Sequence, residues 1–589
     1  MKKKLIIASL FLAISITFMG CEEDFLERPP LDTLTTDQFY KTNEEVLAAT
    51  GPLYNAVWRS YNDNASFLLG DMRGGVLVNP WSSREHLFFR TTGVTSSNIN
   101  AYKAFYTVIG QANTAMANIN TYAGAQVSEA VKNQAIAEAR FMRATAYTYL
   151  VMNFGEVPII TNNIEQIENP DLVRNTIPSI WEFITRDYLF AAENLPESAN
   201  QVGRVTQWSA EGMLARTYLI RSGVEGAGGR DQEFLDQAKY YAERVITMSG
   251  HSLLSDYSNL FEYPYDNNAE SLFELQWVFS AGNWDASNSM VSKINPFPEI
   301  SVNNDAWGGS FGASWWILSL YEGLITEGDA GATADDGQQP GFTLDERLKP
   351  TFMMPGFYYP ELTLKRDLPP NVAGEGLIVP SPAATSAHDR VKIKKYVVGS
   401  ELDLGGNAMD QRYPNNVYML RLAEMYLIYV EATIGNAEST TDPKALEYFN
   451  VIRSRAGLPY FEGPIRMNST WSANEEVYKD HVLEERAVEF AMEARTWYDL
   501  VALHYYNPQK AYDIINHQYR GEFLALPDRM PNPTSWTFTK DPAEDEAYAE
   551  VSSGNFYMQI PAVELSQAPG LSEPAVDYNF GEEGEEGEE

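Results

Sequence analysis

The chain has 589 residues, 44% of them hydrophobic, with 28 Phe, 34 Tyr and 12 Trp, enough apolar material for a large core and unlike a disordered composition. It carries 80 Asp and Glu against 43 Lys and Arg, a net charge of −37, which excludes nucleic acid as a partner and disfavours polyanionic ligands unless a local basic pocket overrides the field. The only cysteine is Cys21.

Lys2, Lys3 and Lys4 are followed by an uncharged, mostly apolar run, Leu5 to Met19, and then by Gly20 and Cys21. The run is too short for a comfortable transmembrane helix, so residues 1–20 are predicted to be a secretory signal peptide. A small residue before cysteine at the cleavage point predicts a bacterial lipoprotein, with Cys21 acylated as the mature N-terminus and the protein anchored to a membrane without spanning it. With Cys21 lipidated, no thiol would remain for disulfides, metal sites or nucleophilic catalysis. Residues 21–36, with Pro29-Pro30, read as a tether.

Apolar residues at helical spacing predict helices over 43–61, 102–119, 128–154, 177–195, 209–221, 232–248, 418–434, 443–455 and 475–504. Pro443 suits a first helical turn, and Gly435 and Gly457 suit helix ends. The fold class is mainly α. Helix pairs rich in Ala and Tyr follow the logic of tetratricopeptide-like hairpins, without the strict repeat consensus. Residues 251–410 are rich in Gly, Pro, Asn and Ser and predict long loops with small β elements and a short helix near 314–323. One domain is expected over 37–580: a helical scaffold at 37–250 and 411–506, with loop-rich elaboration at 251–410 and 507–580. Residues 581–589 hold six Glu and no apolar residue, a composition that predicts a disordered acidic tail.

Several strings along the chain resemble the SusD/RagB family of Bacteroidetes outer-membrane lipoproteins. They are Cys21-Glu-Glu-Asp-Phe-Leu, Phe105-Tyr-Thr-Val-Ile-Gly-Gln-Ala-Asn113, Glu138-Ala-Arg-Phe-Met-Arg143 leading to Asn153-Phe-Gly-Glu-Val-Pro-Ile-Ile160, and Tyr418-Met-Leu-Arg-Leu-Ala-Glu-Met-Tyr-Leu427. Phe449-Asn-Val-Ile-Arg-Ser-Arg-Ala-Gly-Leu458, Glu484-Glu-Arg-Ala-Val-Glu-Phe490 with Arg495-Thr-Trp-Tyr-Asp-Leu500, and Gln559-Ile-Pro-Ala-Val-Glu564 complete the series in order. The resemblance implies tetratricopeptide-like hairpins on one face and loops on the other. It also implies a cell-surface protein of the outer membrane that captures oligosaccharide for a SusC-like TonB-dependent transporter, with Glu22, Glu23 and Asp24 as an export signal. RagB-like members imply an alternative cargo, peptides, on the same architecture.

Read from the residues alone, the charges in these strings are structural. Arg421 and Glu424 share a helix turn, Glu424 and Glu431 a face, and Glu484, Arg486, Glu489, Glu493 and Arg495 are placed to pin helices by ion pairs. No enzyme is expected. The six histidines form no HExxH or other ligand pair, no G-x-S-x-G, P-loop or dinucleotide fingerprint stands out, and the Gly223–Gly229 cluster lacks phosphate-loop spacing. The acidic stretch 329–337 departs from the EF-hand pattern, so calcium has no support there and no cofactor or metal is expected.

The binding signal is aromatic. Trp284 and Trp307 stand among Gly, Asn, Ser and Asp, without the periodicity that buries a tryptophan, whereas Trp58, Trp181, Trp208 and Trp497 lie on helical patterns and are predicted core. An indole can stack on the apolar face of a sugar ring while neighbouring polar groups bond its hydroxyls. Trp284 and Trp307 are therefore the leading glycan candidates. Asp71, Arg73, Trp81 and Arg84, in the stretch from Gly70 to Arg84, are a second set, and the adjacent Trp315 and Trp316 a third, with one of that pair expected to be buried. In starch-binding relatives the site draws on a loop after the first helix and on a later aromatic loop, which is where the first two sets lie.

Overall fold

The computed structural model describes residues 39–79, 82–168, 171–224, 226, 228–329, 343–368, 372–380, 391–470, 479–521, 523–526, 535–540 and 547–581. The predicted signal peptide, Cys21, the tether, Trp81, most of the acidic 329–337 stretch and residues 582–589 lie outside the described residues.

Five long helices follow one another: α1 (Ser96–Tyr122), α2 (Glu129–Phe154), α3 (Ile177–Asn194), α4 (Gln207–Val224) and α5 (Gln232–Met248). Each packs on the next in sequence order, and α5 then packs on α6 (Leu422–Ile434) across the long loop-rich insertion, with α6 on α7 (Pro443–Arg455). The series ends in α8 (His481–Glu489), α9 (Thr496–Tyr506) and α10 (Pro508–His517). Local sequence sets the boundaries. Ser128, Thr176, Asp231 and Asp442 accept hydrogen bonds from first-turn amides, Pro178 and Pro443 occupy first turns, and Gly155 and Gly435 leave α2 and α6 at positive φ. Trp58, Trp181, Trp208 and Trp497 are buried in a continuous core of small and aromatic side chains.

Three predicted helices come out differently. In the 43–61 segment the α-helix stops at Ala48 (Asn43–Ala48); tight turns follow, and after a brief helical stretch at 59–60 come two π-helical runs, Tyr61–Ala65 and Phe67–Met72. Residues Val417–Arg421 form a strand, β2, antiparallel to β1 (Ser271–Leu275), before α6 begins. The 475–504 segment is broken between α8 and α9 by a turn in which Met492 and Ala494 hold φ of 63° and 56°. The insertion carries the expected small sheets, such as Tyr358–Thr363 with Gly376–Ile378, and a short helix, Trp315–Ser319.

The charges of the family strings do pin the elements together. Arg421 bonds Glu270 at 2.8 Å, Glu489 at 2.6 Å and Glu493 at 2.8 Å. Glu489 also takes Arg347 at 3.0 Å, and pairs with Arg455. Glu424 of α6 collects Arg216 of α4 at 2.5 Å and Arg486 and Arg495, each at 3.1 Å. Burial opposes the charge on Glu424 and Glu489, but three guanidiniums around each outweigh it and hold both carboxyls well below the usual range. Glu431 pairs with Arg230 at 2.9 Å. Glu484 departs from the expected pattern: it lines a small pocket, and burial pushes its carboxyl up to about 7.

Candidate functional site

The π-helical runs decide which of the predicted residues reach the surface. At their start, Arg59 and Asp63 face outward and line a groove of about 590 Å³ together with Asn64, Ser83, Glu85, Asn100, Lys103 and Gln411. At their end, Asp71 and Arg73 turn inward.

Trp284 opens a tight turn in which the Asn283 side chain accepts from the Asp285 amide at 3.1 Å. It is 39% exposed. Two guanidiniums flank it: Arg412 lies 4.7 Å from the ring centroid and donates to the Ala281 carbonyl at 2.6 Å. Arg59 lies 5.5 Å from the centroid, donates to the Trp284 carbonyl and sits 3.4 Å from Asp285. Such contacts fix the orientation of an otherwise exposed indole.

Trp307 is 55% exposed, and the Lys293 ammonium sits 4.0 Å from its ring centroid. Its loop is tied to the short helix Met290–Ile294, with the Trp307 amide donating to the Ser292 carbonyl at 2.8 Å and the Gly308 amide to the Asn295 carbonyl at 2.9 Å. Asp305 accepts from the Ser292 hydroxyl at 2.5 Å and from the Gln411 amide at 2.6 Å. Lys293 in turn donates to the Gln411 side chain at 3.3 Å and lies 3.9 Å from Asp63. Contacts therefore run from Trp307 through Lys293 to Gln411 and Asp63 on the groove wall, and from Trp284 to Arg59 on the same wall. The result is two exposed indoles, each with a cation beside it, flanking a polar groove.

The second predicted set is divided. Asp71 is 1% exposed and accepts from the Met492 and Ala494 amides at 2.9 and 3.1 Å. Its carboxyl group stabilises the left-handed turn between α8 and α9 and does not face solvent, so it is not a surface ligand contact. Burial pushes the Asp71 carboxyl up to about 8, against the two amide donors. Arg73 is fully buried between Phe89 and Trp497, at 4.2 and 4.5 Å, and donates to the Phe556 carbonyl at 2.5 Å. Burial pulls it down to about 9. It too belongs to the core. Arg84 is partly exposed, 4.9 Å from the Phe88 ring, between the groove residues Ser83 and Glu85.

Trp315 and Trp316 are both partly buried, so neither is the fully buried ring expected of the pair. Trp316 lines a separate pocket of about 140 Å³ with Leu483, Leu500 and Ile514, sharing no residue with the groove. Sequence reading missed Arg59, Asp63, Lys293, Gln411 and Arg412. The only local hint is Arg59 and Asp63 at i,i+4, a spacing common on any solvated helix. Among the described residues no group of three or more His, Cys, Asp or Glu is placed to hold a metal ion. No helix among them is long and apolar enough to cross a membrane.

A model described as the SusD family matches residues 269–578, and one described as starch-binding associating with outer membrane matches residues 42–219. A SusD-like protein of Bacteroides ovatus is 32% identical over 99% of both chains, and SusD-like protein P2 of Formosa agariphila is 24% identical over 84% of this chain and 90% of its own. A crystal structure determined with xylogluco-oligosaccharide superposes with a TM-score of 0.76 at 31% identity, covering 91% of this chain and all of that one. Surface glycan-binding protein A of Bacteroides uniformis shares the fold at TM-score 0.63 and 19% identity, covering 90% of this chain and 99% of its own. Matched by the family model over more than half its length and by a full-length relative, this chain belongs to the SusD family.

Proposed function

We propose that the chain is a lipid-anchored, surface-exposed glycan-binding protein that captures oligosaccharide and passes it to a SusC-like TonB-dependent transporter of the outer membrane. The observation that carries the reading is the exposure of Trp284 and Trp307 beside a groove rich in Ser, Asn, Asp, Glu and Lys side chains. Aromatic faces with a few placed polar groups suit a ring that is apolar on its face and hydroxylated at its edge. The relative crystallised with xylogluco-oligosaccharide makes that glycan class the first probe for this chain.

The role is binding, without turnover. Asp63 and Asp285 lie beside cations, Lys293 and Arg59, and Asp305 is held by the Ser292 hydroxyl and the Gln411 amide, so the carboxylates around the indoles are engaged within the protein. The lipoprotein-type start, from Lys2 to Cys21, and the matched outer-membrane description support the address.

The test is affinity electrophoresis and calorimetry on the ectodomain begun at Glu22, with neutral and anionic polysaccharides, xylogluco-oligosaccharide and mixed peptides. Saturable glycan binding without new reducing ends supports the reading. Heat from peptides with none from any glycan would move the cargo to peptides and overturn it.

A further inference from the structure

A second cleft, of about 700 Å³, opens toward the other end of α1, walled by α1, α2, α3 and the last described residues. Its cations are Arg140 and Arg143 of α2 and Arg186 of α3. Asp187 is engaged by Arg143 through two hydrogen bonds of 2.8 and 2.9 Å. Arg140 stands 3.9 Å from Asp187, and its Nε is buried with no hydrogen-bond partner. Glu182 serves both Arg186 and Arg221, at 2.8 and 2.9 Å. Three guanidiniums and one carboxylate, Asp187, therefore line the cleft, while Glu182 outside it is shared between Arg186 and the nearly buried Arg221, which leaves a positive island on a chain of net charge −37.

The described part of the chain ends at this island. Phe580 lies under the Arg186 guanidinium at 4.3 Å and against Tyr578 at 5.0 Å, and Gly581 lines the cleft. The next eight residues, 582–589, are six Glu and two Gly.

We infer that this acidic segment docks in the α1–α2–α3 cleft against Arg140 and Arg186. Eight extended residues reach at most about 28 Å, and these start inside the cleft. Exposed ion pairs are individually weak, but a short tether sets a local concentration in the millimolar range, so a few of them suffice. An acidic sugar would have to compete with that tethered anion. No folding of the segment is needed, only an extended chain whose carboxylates meet the island.

The test uses the full chain with Cys21→Ser and a nitroxide label at Gly584→Cys, which keeps all six glutamates. The expected spectrum at 20 mM salt has a slow component. It should disappear at about 1 M salt, where the screening length falls to about 3 Å. It should also disappear in Arg140→Glu/Arg186→Glu, and the salt arm decides alone if that variant misfolds. A single fast component at low salt, or a slow one that survives both salt and charge reversal, overturns the inference. A fast label together with saturable binding of tetragalacturonate would assign the cleft to an acidic sugar and overturn it as well.

Discussion

Trp307→Ala is predicted to weaken oligosaccharide binding about tenfold. An aromatic side chain offers roughly 150–250 Å². With 55% exposed, a sugar stacked on the open side would cover about half of what is free, or roughly 60 Å². At about 25 cal/mol per Å² that is ~1.5 kcal/mol, close to one decade in affinity. The fold should tolerate the change, because the lost contact with Lys293 is worth only about 0.5–1 kcal/mol at an exposed site. Calorimetric titration of wild type and variant with xylogluco-oligosaccharide, with thermal melts as the control, reads both quantities. Trp284→Ala should behave alike but less steeply, since more of that ring is covered. Unchanged affinity in both variants, with melting intact, would refute the assignment of the indoles.

Asp71→Ala should destabilise the protein by about 2–4 kcal/mol in chemical denaturation, because it leaves the Met492 and Ala494 amides buried without an acceptor. The glycan affinity of the folded fraction should not change. Glu489→Ala strips a shared carboxylate from Arg421, Arg347 and Arg455, and breaking such a buried cluster costs about 3–5 kcal/mol, a loss large enough to abolish soluble expression at 37 °C. The pH dependence has two limbs. Glu424 and Glu489 are depressed by their guanidiniums, so their contribution is full above the ordinary carboxylate range and is lost progressively as pH falls below that range toward their own depressed values. Burial raises Glu274 from 4.5 to about 7, so its contribution is full below pH 4.5 and lost as pH rises through 7. Glu274→Gln should therefore flatten the decline in melting temperature between pH 5 and 8, and an unaltered slope would reject that attribution.

The long helices were legible because their apolar periodicity runs through whole turns and their caps are local; α5 ends where the pattern does. What escaped was set from far away. The segment 417–421, apolar up to Arg421, became a strand because Ser271–Leu275 lies beside it, and a short apolar run does not by itself distinguish strand from helix. The turn at 490–495 holds left-handed residues without a glycine because Asp71, more than 400 residues earlier, supplies their acceptor. Asp71 and Arg73 were misread for a related reason. The glycines beside them suggested a loop, but Gly70 and Gly74 are where helix backbone meets Ala494 and Thr496 too closely for a Cβ. The exposure of Trp284 and Trp307 was legible from their loop context. Arg59, Lys293, Gln411 and Arg412 were not, since they come from separate segments that only the fold brings together.

The placement of Trp307 rests on a residue without a side chain. A Cβ on Gly308 would overlap the backbone of Ile294, which belongs to the short helix carrying Lys293. That backbone cannot rotate out of the way as a flexible side chain would, so the loop itself would have to shift. Gly308→Ala is therefore predicted to displace Trp307 from Lys293 and weaken glycan binding about as much as Trp307→Ala. The stability cost should be in the usual range for overpacking, about 1–3 kcal/mol. Combining the two substitutions should add little further loss of affinity, because both remove the same stacking surface. The double variant is the informative measurement. A loss equal to the product of the two single effects would mean that Gly308 and Trp307 act on the ligand independently, and would refute the view that this glycine serves binding by positioning the indole.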